Sequence, residues 1–332
     1  MSKKVYVTRK ILDPALPMLL RACQVSLNNK PRPPSRAEML KNIAGKDGIL
    51  CMLSDKIDGK VMNTAGPNLK VISSYSTGFE HIDVKEATAR GIYVTYTADI
   101  LAEATADLTF ALILACARRI INADRYVREN KWKVGWSPDL MLGYDVHGTT
   151  LGIIGLGRIG AALARRARGF NMKILYHNRS RNHQLESDLG AGYAELDDLL
   201  AKSDFVSIHS SLNSASRQMI NKNKLPLMKK TAFLINTARG NIVNEADLAK
   251  ALRSNKIAGA ALDVYENEPL SRTSALLKMK NVVLLPHIGS ATYQTRSMMA
   301  EVAAKNLLNV LAGKEPDSRF LVNPEVKNIR PL

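Results

Sequence analysis

Side chains with acid–base or anion-binding groups follow three predicted strands towards the end of the chain. Arg239 follows TAFLINTA, the acidic segment from Asp263 to Glu268 follows IAGAALDV, and His287 follows NVVLLP. The carboxyl ends of parallel strands share one edge of a sheet, where doubly wound sheets bind ligands. An arginine, a carboxylate and a histidine that converge there fit hydride chemistry on a small carbonyl acid, with the histidine as the acid–base group.

The chain has six histidines, and the other five are weaker candidates. His81, His147, His177 and His183 lie in or beside predicted loops, where a solvated side chain is the expected state. His209 ends a predicted strand, and we expect it to be a hydrogen-bonded core or rim residue. His287 is therefore the preferred catalytic histidine.

A glycine-rich turn indicates a nucleotide site. Gly155, Gly157 and Gly160 stand between the apolar strand TLGII and an amphipathic helix, with the spacing GxGxxG. The first glycine permits a tight turn, the second lets the backbone approach a pyrophosphate, and the third lets the helix pack on the strand. The alternative is a tight turn without a ligand, but this strand-to-helix context favours a bound dinucleotide.

The end of the next predicted strand bears on the choice between NAD and NADP. That position usually carries an acid for the adenosine ribose, whereas this sequence reads Asn178, Arg179, Ser180, Arg181. Guanidinium and hydroxyl groups suit a 2′-phosphate, which a carboxylate would repel. The pattern favours NADPH/NADP, with NADH/NAD possible. The alternative is that the arginines form only a solvated loop face.

Apolar runs alternate with helical patterns along most of the chain, which predicts an α/β protein with two doubly wound parallel-sheet domains. Residues 1–99 and 290–332 are expected to form a substrate (catalytic) domain, with the last residues returning to it. Residues 100–289 are expected to form an NAD(P)-binding Rossmann domain, and the interdomain cleft is the expected ligand site. One long helix is predicted over ILAEATADLTFALILACARRI.

Length and composition exclude several classes of protein. A chain of 332 residues with 46% hydrophobic and 23% charged residues is typical of a two-domain enzyme. Its net charge of +17 is spread along the chain and aromatic residues make up only 5%, so no nucleic-acid partner is expected. Without a signal-peptide pattern, a membrane-length apolar run or a Cys/His cluster, we expect a cytoplasmic protein with reduced, buried cysteines and no metal site.

Six segments resemble the D-2-hydroxyacid dehydrogenase family, and the likeness runs nearly from end to end. Within the family, the chain is most similar to the glyoxylate/hydroxypyruvate reductases, particularly the archaeal type. The resemblance implies an enzyme for a small 2-keto or 2-hydroxy acid, a Rossmann domain inserted in a flavodoxin-like substrate domain, and a homodimer formed through the nucleotide-binding domains. The segments are SYSTGFEHID (74–83), EATADLTFALILACAR (103–118), LGYDVHGTTLGIIGLGRIG (142–160), INTARGNIVNEADLAKAL (235–252), AGAALDVYENEPL (258–270) and VVLLPHIGSAT (282–292).

The resemblance also implies roles for the catalytic residues. His287 would donate a proton to the carbonyl oxygen, Glu268 would orient His287, and Arg239 would bind the oxygens of the keto acid. The implied contacts to the cofactor are Thr105 and Asp263 at the nicotinamide, Arg158 and Ile159 at the pyrophosphate, and Gly155, Leu156, Gly157, Gly160, Asn178, Arg179, Ser180, Arg181, Ser210, Thr237, Ala238, Arg239, His287 and Gly289.

In the substrate domain, the resemblance implies that the amides of Thr77 and Gly78 bind the substrate carboxylate, with Leu53 on the opposite wall. Trp136 would either reach towards the partner's active site or only pack at the dimer interface. The sequence departs from the family at Ser211, where a proline is usual, which leaves the local loop geometry near the adenine open.

Two alternative functions stay open. The first is another D-2-hydroxyacid dehydrogenase, acting on D-lactate, phosphoglycerate or phosphite. The second is a dinucleotide-sensing corepressor on the same fold. Retention of the arginine, the glutamate and the histidine together favours an enzyme.

Overall fold

The computed structural model describes residues 2–332, which form two compact units. The first unit runs to Leu101 and resumes over Ala291–Leu332, and the second comprises Ala102–Ser290. Within residues 2–332, no helix is both long enough and apolar enough to cross a membrane. The three cysteines are free and buried, as the sequence predicted.

The two units together contain twelve strands and eleven α-helices among the described residues. The strands are β1 Lys3–Val7, β2 Cys23–Leu27, β3 Gly48–Cys51, β4 Val71–Ser74, β5 Tyr93–Thr95, β6 Thr150–Ile154, β7 Lys173–His177, β8 Ala191–Tyr193, β9 Phe205–Ile208, β10 Phe233–Asn236, β11 Gly259–Leu262 and β12 Val282–Leu284. The helices are α1 Ala15–Ala22, α2 Arg36–Ile43, α3 Gly59–Ala65, α4 Val84–Ala89, α5 Ala102–Ala117, α6 Ile120–Arg128, α7 Arg158–Arg168, α8 His183–Leu189, α9 Leu196–Lys202, α10 Glu245–Arg253 and α11 Tyr293–Leu311.

The first unit is a five-stranded parallel sheet in the order β2-β1-β3-β4-β5. Strands β3 and β4 are buried along their whole length, as in most parallel sheets, although β4 ends in two buried serines. Helices α1 and α11 pack on one face, through residues such as Leu19 and Leu307, and α2 to α4 pack on the other. This order reverses direction between β1 and β3, and the carboxyl ends of those strands are where such a sheet binds ligands.

The last residues of the chain complete the first unit, as expected. Leu321 forms an antiparallel bridge with Thr95. The side chain of Asn323 accepts a hydrogen bond from the amide of Val94 at 2.8 Å and donates one to the carbonyl of Ile92 at 2.9 Å. Asn323 is fully buried, so these bonds satisfy a side chain that would otherwise be costly to bury.

The second unit is a seven-stranded parallel sheet in the order β12-β11-β10-β9-β6-β7-β8. Helices α5 and α7 cover one face, and α9 and α10 cover the other. The order reverses where β6 lies beside β9, so the carboxyl ends of these two strands form the ligand-binding position of a Rossmann sheet. The predicted pair of doubly wound parallel sheets is confirmed.

The prediction of one continuous long helix is wrong near its end, because the backbone at Arg119 separates two helices. This residue has a left-handed backbone with φ of 53°, which separates α5 from α6 without any glycine or proline. The amide of Tyr144 donates a hydrogen bond to the carbonyl of Ala117 at 2.8 Å, and a Cβ on Gly143 would lie 2.2 Å from the same oxygen. A distant segment of the chain therefore ends α5.

Candidate active site

The glycine-rich turn after β6 is closed by backbone contacts. Gly155 has φ of +100°, and a Cβ there would lie 2.6 Å from the amide of Ser210. A Cβ on Gly160 would lie 2.4 Å from the carbonyl oxygen of Gly155. A Cβ on Gly157 would meet nothing within 4 Å. Two glycines are therefore needed for packing, while the third leaves the open side of the turn without a side chain.

Helix α7 begins at this turn, with Gly157 as its N-cap. The first-turn amides, including those of Arg158 and Ile159, have no intrahelical acceptor and lie at the positive end of the helix dipole. The amide of Leu156 donates to the side-chain oxygen of Asn178 at 2.7 Å. Asn178 thus braces the glycine turn, which is a use that the sequence pattern did not indicate.

The loop after β7 presents its charges unequally. Arg179, Ser180 and Arg181 are all exposed. Arg181 donates to both carboxylate oxygens of Glu186, at 3.0 and 2.8 Å, and its guanidinium lies 5.3 Å from the ring centroid of Tyr193. Arg181 is therefore paired with an acid, whereas Arg179 is exposed and has no acidic partner among residues 2–332.

Two buried polar atoms at the end of β9 have no hydrogen-bond partner within residues 2–332. They are Nδ1 of His209 and Oγ of Ser210, which directly follow the strand beside the glycine turn. Burial lowers the pKa of His209 to about 3, so its ring is neutral. Unpaired polar atoms beside an open glycine turn fit a ligand with hydroxyl and phosphate groups, as a dinucleotide has. His209 is half-buried and hydrogen-bonded, as expected, through Nε2 to Ser207 at 2.8 Å, but its Nδ1 is not paired.

Hydrogen bonds also hold the loops that follow β9 and β10. At Ser211, where the family usually has proline, the carbonyl accepts a hydrogen bond from the hydroxyl of Ser216 at 2.7 Å, which holds the loop without the proline ring. After β10, the hydroxyl of Thr237 bonds to that of Thr109 at 2.9 Å. The amide of Ala238 donates to the side chain of Asn236 at 3.0 Å.

His287 and Glu268, for which the resemblance implied an acid–base role, form a hydrogen-bonded pair. Nδ1 of His287 lies 2.7 Å from Oε2 of Glu268, and both side chains are about one-third exposed, at 34% and 35%. The other oxygen of Glu268 accepts from the amide of Tyr265 at 3.1 Å. Burial tends to raise the pKa of Glu268, but the hydrogen bond and charge of His287 outweigh burial, and the pKa is lowered. Glu268 is therefore a carboxylate at neutral pH.

The loop that carries His287 is held by Asp263. His287 has a left-handed backbone with φ of 55°, which is strained for a residue with a side chain. The next two amides, of Ile288 and Gly289, each donate to a carboxylate oxygen of Asp263 at 2.8 Å. Burial is the main reason that the pKa of Asp263 is raised. A Cβ on Gly289 would lie 3.4 Å from both Asp263 and Thr105, so Thr105 packs at this loop.

Arg239 follows β10 on a backbone segment that packs against the Glu268 loop. A Cβ on the next residue, Gly240, would lie 1.8 Å from the carbonyl carbon of Tyr265, so only glycine permits this approach. Nη1 of Arg239 donates to the carbonyl of Ala238 at 2.7 Å, and the positive charge of Arg239 contributes to the lowered pKa of Glu268. The structure therefore brings the arginine, the glutamate and the histidine together at one edge of the sheet.

The predicted substrate residues of the first unit lie on loops after β3 and β4. Leu53 is half-buried in a turn in which Asp55 accepts from the amide of Met52 at 2.8 Å. Within residues 2–332, the amides of Thr77 and Gly78 donate to no protein acceptor. Two successive unpaired amides are suited to binding an anion.

The remaining predicted residues differ in exposure. Trp136 is 85% exposed. His147 and His183 are exposed, as expected. His81 and His177 are half-buried and bonded, so the prediction that they are solvated is wrong; Nδ1 of His177 lies 3.1 Å from the carbonyl of Ala194.

The glycine turn, the unpaired polar atoms and the His287–Glu268 pair all lie at the carboxyl ends of strands of one Rossmann sheet. A glycine turn of the dinucleotide-binding type and a histidine–carboxylate pair at the same edge are typical of a nicotinamide-dependent oxidoreductase.

Comparisons with known proteins specify the family. The model of the D-isomer specific 2-hydroxyacid dehydrogenase, NAD-binding domain, matches residues 110–289. A glyoxylate reductase of Thermofilum pendens is 52% identical over 331 residues, which cover 99% of this chain and 97% of that protein. The chain belongs to the D-isomer specific 2-hydroxyacid dehydrogenases, and it is an NAD(P)-dependent enzyme.

Solved structures show the same fold over nearly the whole chain. A protein of Thermus thermophilus is 43% identical with a TM-score of 0.90, covering 96% of this chain and 99% of that one. The NADPH-dependent glyoxylate/hydroxypyruvate reductase of Sinorhizobium meliloti, in complex with NADP and malonate, is 31% identical with a TM-score of 0.84, covering 98% of each chain.

Proposed function

We propose that the chain reduces glyoxylate and hydroxypyruvate to glycolate and D-glycerate, with NADPH as the preferred hydride donor and NADH as a possible one. The observation that carries this proposal is the His287–Glu268 pair beside Arg239, in a chain 52% identical to a glyoxylate reductase. When bound, the nicotinamide cofactor would supply the hydride for the carbonyl carbon.

The proton for the carbonyl oxygen would come from His287. Because Nδ1 is bonded to Glu268 at 2.7 Å, Nε2 is the nitrogen that is available to donate. The carboxylate of Glu268 fixes the ring and stabilises the imidazolium before the proton is transferred. Asp263 has a positioning role, because its two oxygens hold the amides that follow His287.

The substrate carboxylate would be bound by the amides of Thr77 and Gly78, with Leu53 closing the site around a short acid. Arg239 would bind the oxygens of the keto acid through its guanidinium. Residues 1–99 and 290–332 would thus act as the substrate domain, and residues 100–289 as the nucleotide-binding domain.

The proposed cofactor contacts begin at the glycine turn and extend to the nicotinamide and to the 2′-phosphate. The amides at the start of α7 would bind the pyrophosphate, and Ser210 would contribute its buried hydroxyl group. Thr105, Thr237, Ala238 and Gly289 would line the nicotinamide end. Arg179 would bind the 2′-phosphate more strongly than Arg181, because Arg181 is already bonded to Glu186.

We also propose a homodimer formed through the second unit. Large apolar side chains are exposed at close spacing from the end of α6 into the segment before β6, and such a concentration is typical of an interface. Trp136 would be buried in that interface. The exposed residues are Val127, Trp132, Val134, Trp136, Leu140, Leu142 and Tyr144.

The test is a panel of glyoxylate, hydroxypyruvate, pyruvate and phosphite, the last with NADP⁺, assayed with both cofactor pairs. The expected result is a higher kcat/KM for glyoxylate or hydroxypyruvate than for pyruvate, and a higher value with NADPH. Preference for pyruvate or phosphite would assign a different dehydrogenase. Cofactor binding without turnover of any acid would indicate a dinucleotide-sensing protein.

A further inference from the structure

A chain of buried hydroxyl groups connects His81 to the loop of Thr77 and Gly78. Nε2 of His81 lies 3.2 Å from Oγ of Ser74, and Oγ of Ser74 lies 2.7 Å from Oγ of Ser76. Oγ of Ser76 lies 2.6 Å from the carbonyl oxygen of Gly78. Ser74 and Ser76 are 0% and 8% exposed, so water does not compete for these bonds.

The direction of every bond in this chain follows from its last member. A carbonyl oxygen only accepts, so Ser76 must donate its single hydroxyl proton to Gly78. Ser76 therefore accepts a hydrogen bond from Ser74. This bond uses the only hydroxyl proton of Ser74. Consequently Ser74 accepts from His81, and Nε2 of His81 must carry a hydrogen.

The bonded carbonyl belongs to the residue whose amide is unpaired. Gly78 is buried, its carbonyl is held by Ser76, and its amide and that of Thr77 have no protein acceptor within residues 2–332. The Gly78 carbonyl and the Gly78 amide belong to adjacent peptide planes, which are joined by rotation about the two backbone bonds of Gly78. Fixing the carbonyl therefore restricts the rotation that would turn the amide away.

We propose that His81, Ser74 and Ser76 form a directed hydrogen-bond chain that positions the amides of Thr77 and Gly78 to bind the substrate carboxylate. The three are positioning residues, acting through the loop. This inference rests on the proposed function for the identity of the bound carboxylate, but the direction of the chain does not depend on it.

The first experiment compares Ser76→Ala and Ser74→Ala with Ser73→Ala. Ser73 is a matched control, because it is a fully buried serine on the same strand whose hydroxyl instead donates to Ala303 at 2.9 Å. Losing one bond of the chain should raise KM for glyoxylate about tenfold, with KM for NADPH unchanged. Ser73→Ala should leave KM for glyoxylate unchanged. The Ser74→Ala/Ser76→Ala double variant should lose no more than about tenfold, because both serines serve one chain.

The second experiment replaces His81. His81→Gln keeps an N–H donor near the position of Nε2 and should retain most of the affinity for glyoxylate, whereas His81→Leu should match Ser76→Ala. Nitrogen NMR of histidine-labelled parent protein, with His81→Gln to identify the signals, should show a hydrogen on Nε2 of His81. This measurement needs no catalytic activity.

The two experiments distinguish a failure of the directed hydrogen-bond chain from a failure of the proposed function. Equal KM changes in Ser73→Ala and Ser76→Ala, or a His81 ring with its only hydrogen on Nδ1, would overturn the directed chain whatever the substrate. If the parent protein fails to reduce glyoxylate, the proposed function fails, and the NMR result alone decides whether the chain is directed as inferred.

Discussion

The two arginines of the loop after β7 should contribute unequally to NADPH binding. Glu186 accepts two hydrogen bonds from Arg181 and one from the hydroxyl of Tyr176 at 2.5 Å. Its hydrogen bonds to Arg181, and then to Tyr176, lower its pKa to about 2. The carboxylate therefore stays ionised, and paired with Arg181, throughout any practical assay. Arg179 has no such acidic partner within residues 2–332.

The expected magnitudes follow from that pairing. Arg179→Ala should lower kcat/KM for NADPH about tenfold, as the loss of one charge-assisted contact to a phosphate does at an exposed site. Arg181→Ala should lower it no more than about threefold, because Glu186 already neutralises most of its charge. With NADH, which lacks the 2′-phosphate, both variants should stay within about twofold of the parent protein.

Steady-state kinetics with both cofactors provide the assay, and Glu186→Gln provides the matched control. Removing the carboxylate charge should raise kcat/KM for NADPH about threefold and make Arg181→Ala as costly as Arg179→Ala, a coupling that a double-mutant cycle measures. The reasoning is refuted if Arg181→Ala is the more damaging single change in the presence of Glu186, or if either arginine variant loses equally with NADH.

Further predictions concern the acid–base pair, the glycine turn and the exposed segment. His287→Gln should reduce kcat about 10²- to 10⁴-fold, with NADPH affinity in fluorescence titration nearly unchanged; a loss confined to KM would argue against a proton donor. Because the pKa of Glu268 is lowered, its pairing stabilises the fold above the ordinary glutamate pKa and is lost as pH falls through the lower value. Between about pH 5 and about pH 3, the Tm of Glu268→Gln should therefore fall less than the Tm of the parent protein. Equal falls in Tm would contradict the pairing. Gly155→Ala should lower Tm more than Gly157→Ala, since only the former places a Cβ 2.6 Å from the amide of Ser210; equal shifts in scanning calorimetry would count against the turn geometry. Trp136→Ser should shift the protein towards monomer in sedimentation, whereas a parent protein that is already monomeric would exclude the proposed interface.

Much of the fold could be predicted because parallel strands are continuous apolar runs. Strands β2 and β8 lack such a run and are not predicted by it, because β2 reads CQVSL and is mostly half-buried, and β8 reads AGY, with a glycine at its centre. Their patterns are therefore weak. The break at Arg119 was unpredictable for another reason, because the contact that ends α5 comes from Tyr144, far along the chain.

The site was predictable where a motif carries its own chemistry, as in the glycine turn and the His287 segment. The pairing between polar side chains could not be predicted from the sequence. Arg181 and Glu186 are five residues apart across the start of a helix, a spacing for which no regular contact is expected. The loop position of His81 is visible in the sequence and predicts a solvated ring, whereas its burial beside Ser74 depends on how β4 packs in the sheet.

The chain passes from the first unit to the second after Leu101 and returns after Ser290, which imposes an order on synthesis. Helix α11 supplies Ala303 and Leu307 to the core of the first unit, yet it emerges from the ribosome only after the whole second unit. The nascent chain must therefore carry a half-covered five-stranded sheet while the seven-stranded sheet is completed. An apolar sheet face left open for that interval is a binding surface for chaperones and a starting point for aggregation. The unit whose sequence begins first is the last to be completely synthesised.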